Sequence, residues 1–402
     1  MFLDKNPFHT CKLFYYCKMY RIKSAFVVLL VLSLVLVTFP QIEVVKAEAT
    51  IYIRSDGSVE GTDKIQRTGN IYIFKGDITG SIILEKDDIV LDGAGLTFKG
   101  SKWAVTFEYE KGIYASFRNN ITIQNIKLTG YGNCILLENT NNSKVIQNEI
   151  ISDLWETGIK TTNSTNITIS NNNLTHIADP YSSQAIGIQL DYSANNTISF
   201  NNLTGGWWRG IALGPYADNN KIYNNNLTEN QVGIQIVSDN NQIFQNNICS
   251  SVSIHRVPNE GTGILLSGSL SAENNTIFKN NLSNHRVAID LRNGSANVFY
   301  FNNFVNISQE NVDVRLEFSF NNMWDNGEVG NFWSDYIGTD NNEDGIGDTP
   351  YIINLTNQDN YPLMQPVIIP EFPSLTVFLI MVIIIGGVTI IYKNNLQKNG
   401  RQ

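Results

Sequence analysis

Charge is scarce in this sequence. Only 16% of its 402 residues are charged, against 42% that are apolar, so a large buried core is expected rather than a solvated, disordered chain. Basic residues are rarer than acidic ones, 28 against 37. Without the two ends, residues 50–392 hold 19 basic and 34 acidic residues, a net charge of about −15. Such a surface repels nucleic acid and suits a secreted protein that meets divalent cations. Cysteine is nearly absent. Cys11 and Cys17 lie at the extreme N-terminus, and only Cys134 and Cys249 remain, several repeats apart. They are too distant to pair, so two free, buried thiols are expected. No segment of residues 119–303 carries a helical stripe of useful length, which leaves no room for crossover helices.

What is there instead is one phrase said eight times. It reads Asn119-Asn-Ile-Thr-Ile-Gln-Asn-Ile at first, then Thr165-Asn-Ile-Thr-Ile-Ser-Asn-Asn, Asn219-Asn-Lys-Ile-Tyr-Asn-Asn-Asn and Asn274-Asn-Thr-Ile-Phe-Lys-Asn-Asn. Anchored on Asn120, Asn142, Asn166, Asn196, Asn220, Asn241, Asn275 and Asn297, the steps are 22, 24, 30, 24, 21, 34 and 22 residues. A short period with occasional lengthening marks a stacked repeat. Each unit carries a second apolar phrase, Gly187-Ile-Gln-Leu or Gly233-Ile-Gln-Ile among others. Alternation at period two is strand patterning. One unit is too short to bury its own apolar face, so units must stack. About 22 residues hold three short strands and three turns, one coil of a right-handed parallel β-helix. Asparagine suits the coil because it tolerates the left-handed conformation of sharp turns and, stacked on itself, forms an amide ladder.

The expected organisation is all-β with a capped solenoid of roughly 22–24 residues per coil. Residues 1–49 read as a secretory signal, with Lys18, Arg21 and Lys23 before the apolar run 25–39 and Ala47-Glu-Ala49 as cleavage site. Residues 50–80 form an N-terminal cap, 81–308 the β-helix and 309–365 a Trp-, Asp-, Asn- and Gly-rich C-terminal cap. Residues 366–374 are a linker containing Pro370-Glu-Phe-Pro-Ser374, residues 375–392 an uncharged apolar run, and 393–402 a basic tail. Eighteen apolar residues nearly cross a bilayer core as a helix, and the basic tail would keep the coils outside. Motif, helix and basic end resemble the PEF-type sorting signals of archaeal surface proteins, which implies cleavage near the motif and replacement of the tail by a lipid anchor.

The Asn-rich coils, followed by Phe332-Trp-Ser-Asp335 and Tyr361-Pro-Leu363, resemble the NosD-like β-helix proteins within the wider group of carbohydrate-binding and sugar-hydrolase β-helix domains. The resemblance covers roughly residues 50–365. It implies the fold and leaves activity open; the family name comes from a periplasmic protein that helps mature a copper enzyme.

Chemistry concentrates in one column of loops, between the Asn-Asn-Leu and Gly-Ile-x-Leu phrases. It holds Tyr131; Asp153, Trp155 and Glu156; His176, Asp179 and Tyr181; Trp207, Trp208 and Arg209; Glu229; His255, Arg256 and Glu260; His285 and Arg286. As a groove for a polymer, Trp155, Trp207 and Trp208 would stack on sugar rings beside His176, Asp179, His255 and His285. Arg209, Arg256 and Arg286 would hold carboxylates or sulfates through bidentate bonds. The bland alternative is loops whose aromatics cover apolar surface. Hydrolysis would want two carboxylates about 5–9.5 Å apart, and Asp153 and Asp179 are one coil apart, but the signatures of β-helix pectinases are missing and no catalytic residue is assigned. Copper needs clustered soft or imidazole donors; His255 and His285 fall on adjacent coils without a third partner, so copper is not expected. The run Asp340-Asn-Asn-Glu-Asp-Gly-Ile-Gly-Asp348 places Asp340, Asn342, Asp344 and Asp348 at positions 1, 3, 5 and 9 of an EF-hand-like loop. Position 12 is Tyr351, so calcium there would be weak and structural. Sequons are dense, at Asn120, Asn166, Asn173, Asn202, Asn226, Asn281, Asn306 and Asn354 among others, and only a few are expected to carry glycans.

The expectation is therefore a monomeric cell-surface protein, anchored by helix or lipid, that binds or scaffolds polysaccharide or envelope glycan. A polysaccharide hydrolase or lyase using the same column is the alternative, and a passive envelope or adhesion protein, or a metal-maturation accessory, the third reading.

Overall fold

The computed structural model describes residues 50–100, 111–153, 157–177, 184–249, 261–305, 314–317, 319 and 321–369. The expected signal, the PEF motif, the apolar run and the basic tail lie outside them. Among the described residues there is no helix, and none long and apolar enough to cross a membrane.

Three long sheets wind together, of 12, 11 and 11 strands, here called A, B and C. One coil shows the plan: Arg209–Leu213 in sheet A, Lys221–Tyr223 in sheet B, Asn226–Thr228 in sheet C, then Val232–Ile236 back in sheet A. Neighbouring coils pair in parallel and in register, with Ile211 beside Ile234, Ile222 beside Ile243 and Leu227 beside Ile248. All six are at most 1% exposed. Full burial of such a side chain contributes roughly 1.5–3 kcal/mol, and the columns repeat it on every coil. The parallel β-helix read from the repeats is the fold.

The register corrects the repeat spacing at one point. Thr168 pairs with Thr197, so Asn166 stacks on Asn195 rather than Asn196 and that step is one residue shorter than the anchors implied. A strand alternates its faces at period two, and a slip of one residue would turn the buried Ile198 to solvent.

The structure also revises the reason for asparagine. At the bend from sheet B to sheet C two residues separate the strands. The first is left-handed in every regular coil, yet it is Asn125, Gln147, Asn171, Phe200, Asn224, Gln245, Lys279 or Phe301, with φ between 52° and 58°. At the bend from A to B asparagine does hold the left-handed position as expected, at Asn120, Asn142, Asn166, Asn195, Asn219, Asn240 and Asn274, but at this bend tolerance of that conformation does not select asparagine. The second position does. Asn148, Asn172, Asn201, Asn225, Asn246, Asn280, Asn302 and Asn331 are at most 2% exposed. From Asn148 to Asn302, each backbone N–H donates to the next side-chain Oδ1 at 2.9–3.1 Å. Each Nδ2 donates to the same Oδ1 and to a carbonyl of the coil before, as Asn225 does to Asn246 and Ile198. A second buried ladder, Asn196, Asn220, Asn241, Asn275, Asn297 and Asn322, zips the bend from A to B.

Both ends are closed. Val59–Glu60 and Ile65–Thr68 add antiparallel strands to the first coil, so residues 50–79 are already a coil with two short covers. At the far end the solenoid continues through Val314–Glu317 and Phe332–Trp333, inside the stretch read from sequence as cap. The antiparallel hairpin Tyr351–Asn354 and Asn357–Asp359 follows. Its Asp359 ends the main ladder: Oδ2 accepts from the Asn331 N–H at 2.6 Å and the Trp333 indole at 2.9 Å, Oδ1 from the Tyr361 N–H at 3.0 Å.

Replacing Asn225 by Ala should strand Asn201 and Asn246 and cost roughly 2–4 kcal/mol. Asn224→Gly, at the left-handed position, should cost less than ~0.5 kcal/mol. Urea unfolding followed by far-ultraviolet circular dichroism compares the two; equal losses would return the asparagine pattern to backbone conformation.

Candidate functional site

The bend from sheet C to sheet A is the loop column of the sequence, and it has two layers. Residues at the end of a sheet C strand or two to three beyond it turn inward: Tyr131, His176, Trp207, Asn230 and His285 are all at most 2% exposed. Glycine at the start of the sheet A strands gives them room. A Cβ on Gly112 would meet the Tyr131 ring, and one on Gly263 would meet the His285 ring at 3.2 Å. Residues one step further on face outward, where Trp208 and Arg209 are half-exposed and Arg286 is exposed.

Several expected ligand contacts are therefore corrected. Trp207, 0% exposed, has no face for a sugar ring; it lies against the His176 ring at 5.1 Å. His176 has its Nδ1 3.1 Å from the Ser152 Oγ, and burial lowers its pKa, with Asp153 partly opposing. His285 sits 2.8 Å from the Ile248 carbonyl; a carbonyl only accepts, so Nε2 carries the proton. Burial pushes its pKa down to about 4. These two histidines are structural and stay neutral near pH 7. They stand four coils apart, about 19 Å at the strand spacing. Trp155, Asp179, His255 and Arg256 lie outside the described residues, as do Glu156, Tyr181 and Glu260. Cys134 is buried and Cys249 half-buried; neither is in a disulfide.

What remains on the outside is a compact pair. The Arg209 guanidinium lies over the Trp208 ring, 3.4 Å from its centroid. Among the described residues its Nε is buried and has no hydrogen-bond partner, and burial lowers its pKa to about 10. Just beneath, the Trp207 Nε1 and, one coil on, the Asn230 Oδ1 are also buried without partners. Buried polar groups are normally satisfied, so a donor-rich, incompletely paired corner marks a place prepared for something polar.

The C-terminal loop holds its expected metal ligands in a network of turns. Asp340 accepts the N–H groups of Asp344 at 3.2 Å and Gly345 at 2.9 Å. Asn342 donates to Asp344 at 3.0 Å. Asp348 instead faces Asn341, accepting from its N–H and its Nδ2 at 2.8 and 2.7 Å. The loop thus brings Asp340, Asn342 and Asp344 together and turns Asp348 to the other side of the turn. Among the described residues no group of three His, Cys, Asp or Glu side chains gathers in metal-binding geometry.

Sequence reasoning missed an aromatic file on sheet B. Tyr223, Phe244, Phe278 and Tyr300 stack in register with centroids 4.9–5.2 Å apart and planes within 12°. The signal was there in the residue after each sheet B Ile or Phe. The rings are half-buried, but their faces are occupied by one another. Sugar stacking needs an open face, so the file stabilises the coils and offers only edges.

A family model described as "Periplasmic copper-binding protein (NosD)" matches residues 68–257 and 119–338. No curated protein matches the chain. Solved structures with a similar course include a double mutant of the periplasmic alginate epimerase AlgG, 15% identical over 63% of this chain and 69% of that one, TM-score 0.39. DFA-IIIase from Arthrobacter chlorophenolicus A6 without its lid is 15% identical over 65% and 66%, TM-score 0.43. An exopolygalacturonase from Thermotoga maritima is 11% identical over 66% and 75%, TM-score 0.42. At these identities the likeness is one of fold.

Two buried titrating groups act oppositely on stability. Burial outweighs its donors and pushes Asp359 up to about 6 from 3.8. Its contribution is full below pH 3.8 and lost as pH rises through 6. That of His285 is present above pH 6.5 and lost as pH falls through 4. Between pH 7 and pH 4 the stability gap between wild type and Asp359→Asn should shift in favour of wild type by ~2 kcal/mol. Guanidinium titrations at both pH values measure it.

Proposed function

The chain belongs to the NosD family, and from that premise we propose that it works outside the cytoplasm as a scaffold binding polysaccharide or envelope glycan, with no catalysis assigned. The binding surface is the corner between sheets C and A. The observation that carries this reading is Arg209: half-buried over Trp208, with no partner for Nε among the described residues and its pKa lowered by burial. A cation held in low dielectric with no counter-charge is costly. It is offset when a carboxylate or sulfate arrives and accepts the guanidinium's hydrogen bonds. Trp208, its rim half-exposed beside that charge, supplies the apolar contact a sugar ring takes. An acidic polysaccharide combines both chemistries.

The location is supported by the family description, which speaks of a periplasmic protein, and by the basic lead and apolar run before residue 50. The apolar run 375–392 is the anchor in this reading, either as a helix or as a segment exchanged for lipid. Copper, also in the family description, calls for donors close together; the two described histidines are buried four coils apart, so the glycan reading takes precedence.

The test is retention of the protein on a panel of acidic and neutral polysaccharides, scored together with released chain ends. Acidic chains should retain the wild type. Trp208→Ala and Arg209→Ala should each weaken retention by roughly 10–100-fold, the weight of one charge-assisted contact. Arg286→Ala, on the exposed rim, should change little. New reducing or unsaturated ends would replace the binding reading with an enzymatic one; retention unchanged in both variants would move the site elsewhere.

A further inference from the structure

Many of this chain's asparagines stand in Asn-x-Ser/Thr triplets, and the fold sorts them sharply. On a coil, Asn-Leu-Thr runs along a strand whose side chains alternate. Asn and Thr point out and the middle residue points into the core. At Asn120, Asn166, Asn173, Asn202, Asn226 and Asn281 the middle residue is Ile or Leu and at most 1% exposed. At Asn163, Asn195 and Asn274 it is Ser164, Asn196 or Asn275, again at most 1% exposed, and at Asn293 it is the buried Gly294. At Asn141 the middle residue is exposed but the hydroxyl residue, Ser143, is 1% exposed and donates to the Asn141 carbonyl at 2.7 Å. The alternation that writes these triplets into the sequence also hides them from any enzyme that must grip three consecutive residues. Several of the asparagines are further engaged through their own amides, Asn202 to Asn173 and Asn226 to Asn202 at 2.9 and 2.8 Å.

One described triplet differs in every respect. Asn354-Leu355-Thr356 forms the tip of the C-terminal hairpin, and all three residues are exposed. Leu355 is exposed to 105%, an apolar side chain with no packing reason to be there. The Asn354 Oδ1 accepts the N–H groups of Thr356 and Asn357 at 2.9 and 2.8 Å and lies 3.3 Å from the Thr356 hydroxyl. The carbonyl is thereby held by the turn, and among the described residues Nδ2 makes no hydrogen bond.

We infer that Asn354 is the N-glycan acceptor of the folded protein, and that the triplets of the coils are by-products of the asparagine columns. This rests on the extracytoplasmic location proposed above. The donor is an oligosaccharide carried on an isoprenoid phosphate or pyrophosphate. Nδ2 attacks C1 of the sugar, the C1–O bond breaks, the phosphate leaves with the electron pair, and the proton lost from Nδ2 passes to a base of the transferase. The product keeps one N–H on Asn354 and leaves the hydrogen bonds to Oδ1 intact.

The experiment uses the full chain in detergent, once folded and once unfolded in urea and diluted, with an oligosaccharyltransferase, its lipid-linked donor and a control acceptor peptide. Glycopeptide mass spectrometry reads every triplet. In the folded sample Asn354 should be modified and the coil triplets at least ~100-fold more slowly, because they wait for local unfolding. In the unfolded sample the coil triplets should accept as well. Asn354→Gln and Thr356→Ala should remove the added mass from folded protein, with unchanged circular dichroism. Coil triplets modified as fast as Asn354 in the folded chain would overturn the inference. So would an empty Asn354 while the control peptide and the unfolded chain are modified. The glycan-retention test above depends on Trp208 and Arg209 and fails or succeeds separately.

Discussion

The buried asparagine ladder is the constraint from which the rest follows. A parallel β-helix must bend its backbone into the interior at each corner, and the amides exposed there need partners. Asparagine supplies both a donor and an acceptor on the shortest possible stem. Its Oδ1 takes the N–H of the coil before, and its Nδ2 returns a hydrogen bond to that coil's backbone. All the amides point the same way, so hydrogen bonds in the chain polarise one another and the last donor, the Asn331 N–H, is left without an asparagine to accept it. Asp359 occupies that place. A carboxylate has only lone pairs to offer and takes donors from Asn331, Trp333 and Tyr361 at once.

The ladder also decides where the coil can vary. Between sheets B and C, two residues separate the strands in every regular coil, because any other number would take the buried amide out of line. The bend from A to B is zipped by its own ladder and varies modestly. The bend from C to A has no ladder. Three residues join Asn281–Ser283 to Val287–Ser295, whereas twelve join Asn247–Cys249 to Thr262–Glu273. Chain length, aromatic residues and unpaired polar groups collect at the one corner whose backbone is not stitched. This is the division seen wherever a rigid scaffold carries variable loops.

How much could be read beforehand follows from the same division. Within strands, alternation fixes the direction of each side chain, so Ile222, Leu227 and Ile234 could be placed in the core from sequence. At the corner no period applies. Trp207 and Trp208 are adjacent and chemically alike, yet one is sealed against His176 and the other lies at the surface. The turn before them, where Gly205 and Gly206 both have positive φ, sets which of the two points inward, and that is not visible in a run of residue names. His285 looked like a ligand for the same reason. An amide ladder was legible in the Asn-Asn pairs, but its exact position was not, because the sequence does not show which of the two asparagines is buried and which makes the turn. Asp359, far along the chain from Asn331, carried no local signal at all.

Aromatic residues illustrate why geometry and not composition identifies a binding surface here. The file Tyr223, Phe244, Phe278 and Tyr300 is the larger aromatic surface, but its register brings each ring onto the next at about the strand spacing and uses up every face. Trp208 has no ring in line with it: Arg209 pairs with Ile186 on the coil before and Val232 on the coil after, so the residues one position earlier, level with Trp208, are Ala185 and Gln231. Without a ring to stack on, it pairs with the guanidinium of its own neighbour. That pairing keeps a cation at the surface of a chain whose net charge is negative. In such a field an arginine without a described counter-charge attracts anions locally while the surrounding surface repels them, so a ligand of the proposed kind would carry its negative charge concentrated at one point.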